Sequence, residues 1–148
     1  MTKKVMIAGT FDILHPGHLF FINEAAKLGD VYVVVATDIN RQKYSGHSPI
    51  IPEEQRLELI KNIKNVKEAR LGRNDNNTLK VVEEINPDII LLGPTQHYEI
   101  DELKFKLQDK NLGYIIVKRL KTVYNKYELN SSGRIKLKIS DEYLKKKD

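Results

Sequence analysis

The chain contains no cysteine. That excludes disulfides and any thiol nucleophile. It also leaves a zinc site short of ligands, because structural zinc takes four Cys or His. No apolar run approaches the roughly 20 residues needed to cross a bilayer, and the N-terminus has no signal-peptide pattern. A soluble, cytoplasmic protein without a membrane partner is expected. Neither Gly-x-Gly-x-x-Gly nor a phosphate loop ending in Gly-Lys-Ser/Thr is present, which argues against a dehydrogenase and against a P-loop kinase or GTPase. There is no internal repeat and no low-complexity linker. At 148 residues the expectation is one domain spanning 1–148, with 139–148 as a basic tail.

Charge is abundant and nearly balanced: 25 Lys and Arg against 20 Asp and Glu, a formal net of +5. This excess suits an enzyme that binds polyanionic nucleotides. Because the bases are interleaved with acids, a nucleic-acid partner is not expected. The run Lys145-Lys146-Lys147 reads as a solvated tail.

Strand and helix patterns alternate along the whole chain, which implies an α/β fold: a Rossmann-like, doubly wound parallel sheet of about five strands. Strands are expected at Val5–Ala8, Val31–Thr37, Glu68–Leu71, Asp88–Leu92 and Tyr114–Val117. The second is a continuous β-branched run, as a strand buried on both faces requires. Helices are expected at Leu19–Leu28, Glu53–Ile63 (opened by Pro52), Thr78–Ile85 (closed by Asn86-Pro87), after a cap at Asp101, and near Arg134–Tyr143. In such sheets ligands bind beyond the carboxyl ends of the strands, where strand order reverses.

At that edge lies Gly9-Thr10-Phe11-Asp12-Ile13-Leu14-His15-Pro16-Gly17-His18. It joins the first strand to the first helix. A helix N-terminus offers unpaired N–H groups and the positive end of the macrodipole, so it favours anions. Pro16 fits an early helical position, and Gly17 lets backbone approach a ligand. His15 and His18 add two donors at the same spot. The arrangement describes a phosphate site.

Gly9-Thr10-Phe11-Asp12 followed by His15-Pro16-Gly17-His18 resembles the signature of the cytidylyltransferase-like nucleotidyltransferases. Within that superfamily the chain is most similar to the archaeal FAD synthases, and next to the glycerol-3-phosphate cytidylyltransferases. The resemblance runs from Lys4 to about Ile139. It implies nucleotidyl transfer, in which positioning and charge cancellation are the protein's main tasks. His15 and His18 then act as catalytic donors, and Gly9, Thr10, Phe11, Pro16 and Gly17 join them in holding the nucleotide. A phosphate-binding lysine is implied in the polar loop after strand two, where Lys43 stands, with Arg41 as the other cation able to take that role. Asp12 and Asp38 are candidates to hold Mg²⁺ or another divalent cation, which favours carboxylates, water and substrate phosphate; Asp38 serves equally as a strand-end turn residue. Glu54-Gln55-Arg56 matches the family's Glu-Gln-Arg, whose arginine is either internal to the fold or linked to substrate.

Gly93-Pro94-Thr95-Gln96 resembles the Gly-Pro-x-Gln loop of FAD synthases. That resemblance gives Gly93, Thr95 and Gln96 contacts with the nucleoside. The tail departs from the cytidylyltransferase pattern, because Lys121 to Asn130 separate Lys118-Arg119-Leu120 from Ser131-Ser132-Gly133-Arg134-Ile135. This insert resembles the FAD-synthase form, although the cysteine of that form is absent near Leu129 and Asn130. Ser131 and Ser132 are expected to cap the last helix and present its N-terminus to the triphosphate. Tyr124 is a candidate to stack on a base, and with Tyr127 to offer an aromatic face to a purine or an isoalloxazine. The implied substrates are ATP and FMN, with a homodimer left open as the assembly. The alternatives are a CTP-dependent enzyme acting on glycerol 3-phosphate or a related polyol phosphate, and a non-catalytic nucleotide-binding regulatory domain. The pair His15 and His18 disfavours the last, since binding alone does not need both.

Overall fold

Successive residues of a strand point to opposite faces, so a strand buried on both faces must be apolar throughout. The computed structural model, which describes residues 2–96 and 98–144, shows this in its central strands. The elements are β1 (Lys4–Gly9), α1 (Pro16–Ala26), β2 (Asp30–Val35), α2 (Asp38–Ser45), α3 (Glu53–Lys61), β3 (Val66–Leu71), α4 (Thr78–Ile85), β4 (Ile89–Leu92), α5 (Ile100–Asp109), β5 (Ile116–Arg119) and α6 (Ser132–Ile139). A π-helical turn, Ser140–Leu144, continues α6. All five strands are parallel, in the order β3-β2-β1-β4-β5. Val5, Ile7, Val31, Val33 and Val35 pack on one face with Ile22 and Ala25 of α1 and Ile60 of α3. Met6, Val34, Ile90 and Leu92 pack on the other with Val81, Val82 and Ile85 of α4 and Leu107 of α5. Strand order reverses between β1 and β4, which puts the crevice for a ligand above the end of β1. Among the described residues no helix is long and apolar enough to cross a membrane.

Several elements differ from the sequence reading. The stretch after β2, expected as a loop, is helix α2. Thr37 caps it, its Oγ accepting from the Asn40 N–H at 3.1 Å, and Gly46 closes it at φ 82°. The helix buries no residue, so it has no apolar stripe to announce it. Strand two correspondingly ends at Val35 rather than Thr37. The last strand starts at Ile116 instead of Tyr114, because Ile115 N–H bonds back to Leu112 and keeps Gly113 and Tyr114 in the turn. Helix α1 begins at Pro16 rather than Leu19, and Glu99 rather than Asp101 stands at the cap of α5, without a side-chain cap bond. The lysines 145–147 lie outside the described residues.

The loops above β1 and β2 are tied together by Arg56 of α3, which is 1% exposed. Its Nε donates to Ile51 O at 2.7 Å. Its Nη1 donates to Thr10 O and Ala36 O at 2.7 and 2.8 Å, and its Nη2 to Asp38 Oδ1 at 2.7 Å. Asp38 and Glu53 complete the brace by exchanging backbone N–H to carboxylate bonds, at 2.9 and 3.2 Å. Of the two roles open to Arg56, the structure displays the internal one. Replacing it strands the carbonyls of Ile51, Thr10 and Ala36 and takes the partner from Asp38, whose side chain is 34% exposed, and leaving such acceptors unpaired costs about 1–3 kcal/mol. Arg56→Leu is therefore expected to lower unfolding free energy by about that much in urea titrations. A loss below about 1 kcal/mol would contradict the assignment.

Candidate active site

The chain leaves β1 through a turn with little room. A Cβ on Gly9 would stand 3.0 Å from the Phe11 ring. Phe11 and Ile13 both adopt left-handed backbone, at φ 55° and 50°. For a β-branched residue this is a strained conformation, held only where surrounding structure enforces it. The turn folds Phe11 inward, where its ring lies 5.4 Å from that of His18, and delivers the chain to the start of α1.

There each imidazole ring accepts from a backbone N–H and the two rings share no ring-to-ring hydrogen bond. His15 is the N-cap of α1, and its Nδ1 accepts the Gly17 N–H at 3.1 Å. The Nδ1 of His18 accepts the His15 N–H at 3.3 Å. The rings stack, with centroids 3.8 Å apart and planes at 28°. A ring nitrogen that accepts carries no proton, so this network assigns the proton of each neutral imidazole to Nε2. Each Nε2–H is thus a donor left over from the capping bonds. Burial first, and then His15, bring the His18 pKa down to about 4, against the opposing pull of Asp12; burial alone lowers that of His15. Both rings are neutral donors at neutral pH.

A second helix N-terminus reaches the same place. A Cβ on Gly17 would stand 2.8 Å from Asn130 O and 2.8 Å from His15 Cε1, so only glycine fits between the two segments. The next residue, Ser131, caps α6 through its Oγ, which accepts the Arg134 N–H at 3.1 Å, and Ser132 opens the helix. The starts of α1 and α6 therefore converge beside the histidine pair.

On the other side of β1, the segment Gly93–Gln96 follows β4. Gln96 Oε1 accepts the Gly93 N–H at 3.0 Å, and its Nε2 lies 3.5 Å from Ala8 O at the end of β1. The Gln96 amide is thus used to shape the loop, and exposed Thr95 is the side chain it offers outward. Arg119, at the end of β5, gathers the loop's carbonyls: Gly93 O at 2.8 Å, Gln96 O at 2.9 Å, and Tyr98 O. Sequence reasoning quoted Arg119 only as part of a tail signature. Its bracing of a loop far off in sequence had no local signal.

The two aspartates expected to hold Mg²⁺ are occupied otherwise. Asp12, 5% exposed, accepts the Ile50 and Ile51 N–H groups, both at 2.9 Å, and the Lys136 ammonium of α6 at 3.1 Å. Burial alone would raise its pKa, but those donors outweigh burial and hold it below the ordinary carboxylate value. Asp38 belongs to the Arg56 brace. Among the described residues no group of three His, Cys, Asp or Glu is placed to hold a metal ion. The residues present do not fit a protein-built Mg²⁺ site, and Lys136 is a neighbour of the motif that sequence reading did not single out.

Lys43 lies in the last turn of α2 rather than in a loop, its Nζ donating to Asn74 O at 2.9 Å on the segment after β3. Arg41, in the same helix, is exposed. The Tyr124 ring sits 5.2 Å from Phe20 of α1 and 6.3 Å from Tyr127, and its carbonyl accepts from Asn130 Nδ2 at 2.6 Å. The insert is thereby packed onto α1 through the tyrosine expected to meet a base. A groove of about 390 Å³ along α5 and β5 touches none of these residues.

Comparison with known proteins gives this geometry a context. Residues 6–138 match the model of the cytidylyltransferase-like family. A FAD synthase of Methanobrevibacter smithii is 49% identical over 141 residues, covering 93% of this chain and 90% of that protein. A FAD synthase of Archaeoglobus fulgidus is 41% identical over 140 residues, covering 93% and 98%. Among solved structures, the lipopolysaccharide core biosynthesis protein of Thermoplasma volcanium superposes with a TM-score of 0.78 at 38% identity, over 84% of this chain and all of that one.

The lowered His18 pKa sets a pH dependence of stability. In the unfolded chain a histidine takes its proton near pH 6.5, whereas folded His18 does so only near 4. The unfolded state therefore binds more protons in that window, and stability falls as pH drops from 6.5 towards 4. His18→Asn keeps an acceptor but does not titrate. Urea midpoints at pH 7 and pH 5 are expected to fall less in this variant than in the parent; an equal fall in both would contradict the assignment.

Proposed function

The chain belongs to the cytidylyltransferase-like family, and from that membership we propose that it is an FMN adenylyltransferase, converting ATP and FMN to FAD and pyrophosphate. The observation that carries the chemistry is the pair of Nε2–H donors beside two helix N-termini. In the reaction a phosphate oxygen of FMN attacks the α-phosphorus of ATP. The bond from that phosphorus to the oxygen bridging to the β-phosphate breaks, and pyrophosphate leaves with the electron pair. Negative charge builds on the phosphoryl oxygens and the leaving group, where His15, His18 and the first turns of α1 and α6 present donors fixed in advance. Because each neutral ring carries its proton on Nε2, that nitrogen is a donor while Nδ1 keeps its capping bond. Lys43, on leaving Asn74 O, would bring a mobile point charge to the phosphates. Gly93 and Thr95, on the segment that follows β4, would contact the nucleoside in this reading.

A divalent cation, with Mg²⁺ as the proposed ion, supplies charge neutralisation at the triphosphate when bound. No step is assigned to it, since Asp12 and Asp38 are committed to protein donors.

The purified protein, given ATP, FMN and Mg²⁺, is expected to form FAD and pyrophosphate. CTP with glycerol 3-phosphate is the competing pair, and its use in place of ATP and FMN would overturn the assignment. His15→Ala and His18→Ala are each expected to cut turnover by about 10²–10³-fold, with a smaller effect on ATP affinity by calorimetry. Near-parental turnover at saturating substrate in either variant would remove the catalytic role.

A further inference from the structure

The proposed reaction uses the N-terminus of α6 beside that of α1, yet α6 has little to anchor it. The helix buries no residue, and none of its side chains belongs to either apolar cluster of the core. Its half-buried positions are Ser132, Ile135 and Lys136, and the rest of the helix is exposed. Residues three and four apart share one face of a helix, so these three form the stripe turned toward the protein. A surface helix ordinarily turns an apolar stripe inward. Here a lysine stands in it.

The Lys136 ammonium lies 3.1 Å from Asp12 Oδ2, the two side chains being 34% and 6% exposed. Asp12 belongs to the turn that leads to His15. Its Oδ2 also accepts the Ile50 N–H and its Oδ1 the Ile51 N–H, both at 2.9 Å, so the carboxylate is fixed from the side away from α6. At the start of the helix, Asn130 O lies against Gly17 so closely that a Cβ there would stand 2.8 Å from it. The helix is thus held to the motif at its first turn by contact and one turn later by charge. The ion pair of Lys138 with Glu142, by contrast, stays within α6 and the π-helical turn that continues it. A carboxylate in a nearly dry place is unfavourable without a charged partner. Removing the ammonium therefore favours an undocked α6, because its departure lets water reach Asp12.

Resting on the nucleotidyl-transfer reading, though not on FMN as the acceptor, we propose that Lys136 is a positioning residue for the triphosphate, holding the N-terminus of α6 beside His15 and His18 through its ion pair with Asp12. The N–H groups of Ser132 and Gly133, which a helix leaves without an internal acceptor, are then in place before the phosphates arrive. Without the pair, ATP must seat the helix as it binds. Its apparent affinity falls with the fraction of molecules in which α6 is docked. Once ATP is bound the site is complete, so turnover at saturation changes little.

The test compares the intact protein with Lys136→Met, which keeps the aliphatic stem and drops the charge. Amide hydrogen exchange in α6 is expected to quicken about 10-fold or more, while β1 and β2 keep parental protection and so report an intact sheet. The calorimetric dissociation constant and KM for ATP are expected to rise about 3- to 30-fold. Turnover at saturating ATP should stay within about threefold, the reverse of the split expected for the histidine variants. Inorganic pyrophosphate, titrated as a probe of the phosphate site alone, should weaken in the same direction. Lys136→Arg should restore most of the affinity, and in an Asp12→Asn background Lys136→Met should add less than about twofold. Unchanged ATP affinity with unchanged exchange in α6 would overturn the positioning role. Weakened ATP binding with unchanged exchange in α6 would overturn it too, by making Lys136 a direct phosphate ligand. A parent that binds neither ATP nor pyrophosphate would overturn the positioning role and the nucleotidyl-transfer reading together. A parent that binds ATP but does not act on FMN would overturn the choice of acceptor alone, with calorimetry and exchange still deciding the role of Lys136.

Discussion

A guanidinium donates hydrogen bonds in one plane and in several directions, and Arg56 uses that geometry to join segments the sheet itself leaves apart. The carbonyls of Thr10 and Ala36 belong to the first residues past β1 and β2, and both accept from Arg56. Left unpaired in the interior, each would cost about 1–3 kcal/mol. Arg56 satisfies both, adds Ile51 O, and cancels its charge against Asp38. The strained turn through Phe11 and Ile13 depends on this bracing, because left-handed backbone at such residues persists only where its surroundings over-determine it. Arg119 repeats the device on the far side of β1, with three carbonyls of the Gly93–Tyr98 segment as its acceptors. The segments that leave β1 and β4 are thus each braced by an arginine, neither of which needs to touch a substrate.

That rigidity allows the histidines to work as neutral groups. An imidazolium pair stacked at 3.8 Å would repel, and a protonated Nδ1 could no longer accept the Gly17 or His15 N–H. Capping, stacking and burial all favour the same protonation state, with the proton on Nε2. A charged donor would hold the ground-state triphosphate tightly. A neutral donor fixed in place gains strength where charge develops during transfer, and this difference is what accelerates a reaction.

Much of this could be read from residue order, because the signals are local. The apolar runs of β1, β2 and β4, the helix Thr78–Ile85, the cap at Ser131 and the strand–turn–helix setting of His15 and His18 all depend on neighbours within a few positions. Helix α2 was hidden because it buries nothing, leaving Thr37 and Gly46 as its only markers. Asp12 and Asp38 read as metal ligands because a carboxylate beside a phosphate motif has that chemistry. Their actual partners, Ile50, Ile51, Lys136 and Arg56, lie 18 to 124 positions away in the chain and converge only on folding. Arg119 escaped for the same reason. Residues that bind backbone at long range carry no pattern in a single sequence.

The reassignment of the two carboxylates changes the electrostatics of the site. Were Asp12 and Asp38 free, two negative charges would face an incoming polyanion, and a cation would be needed first to offset them. Instead each is matched inside the protein, Asp12 by Lys136 and Asp38 by Arg56, so the field at the motif comes chiefly from the N-termini of α1 and α6 and from the imidazole dipoles. Such partial charges suffice to attract phosphate but leave most of a triphosphate's charge uncompensated. The remainder must arrive with the nucleotide as its own counter-cation or come from a cation of the protein such as Lys43 on α2, whose ammonium donates to the Asn74 carbonyl. Fixed dipoles at the reacting centre and mobile charge at its edge follow from the same fact: the two carboxylates of this site are paired inside the protein as structural anchors.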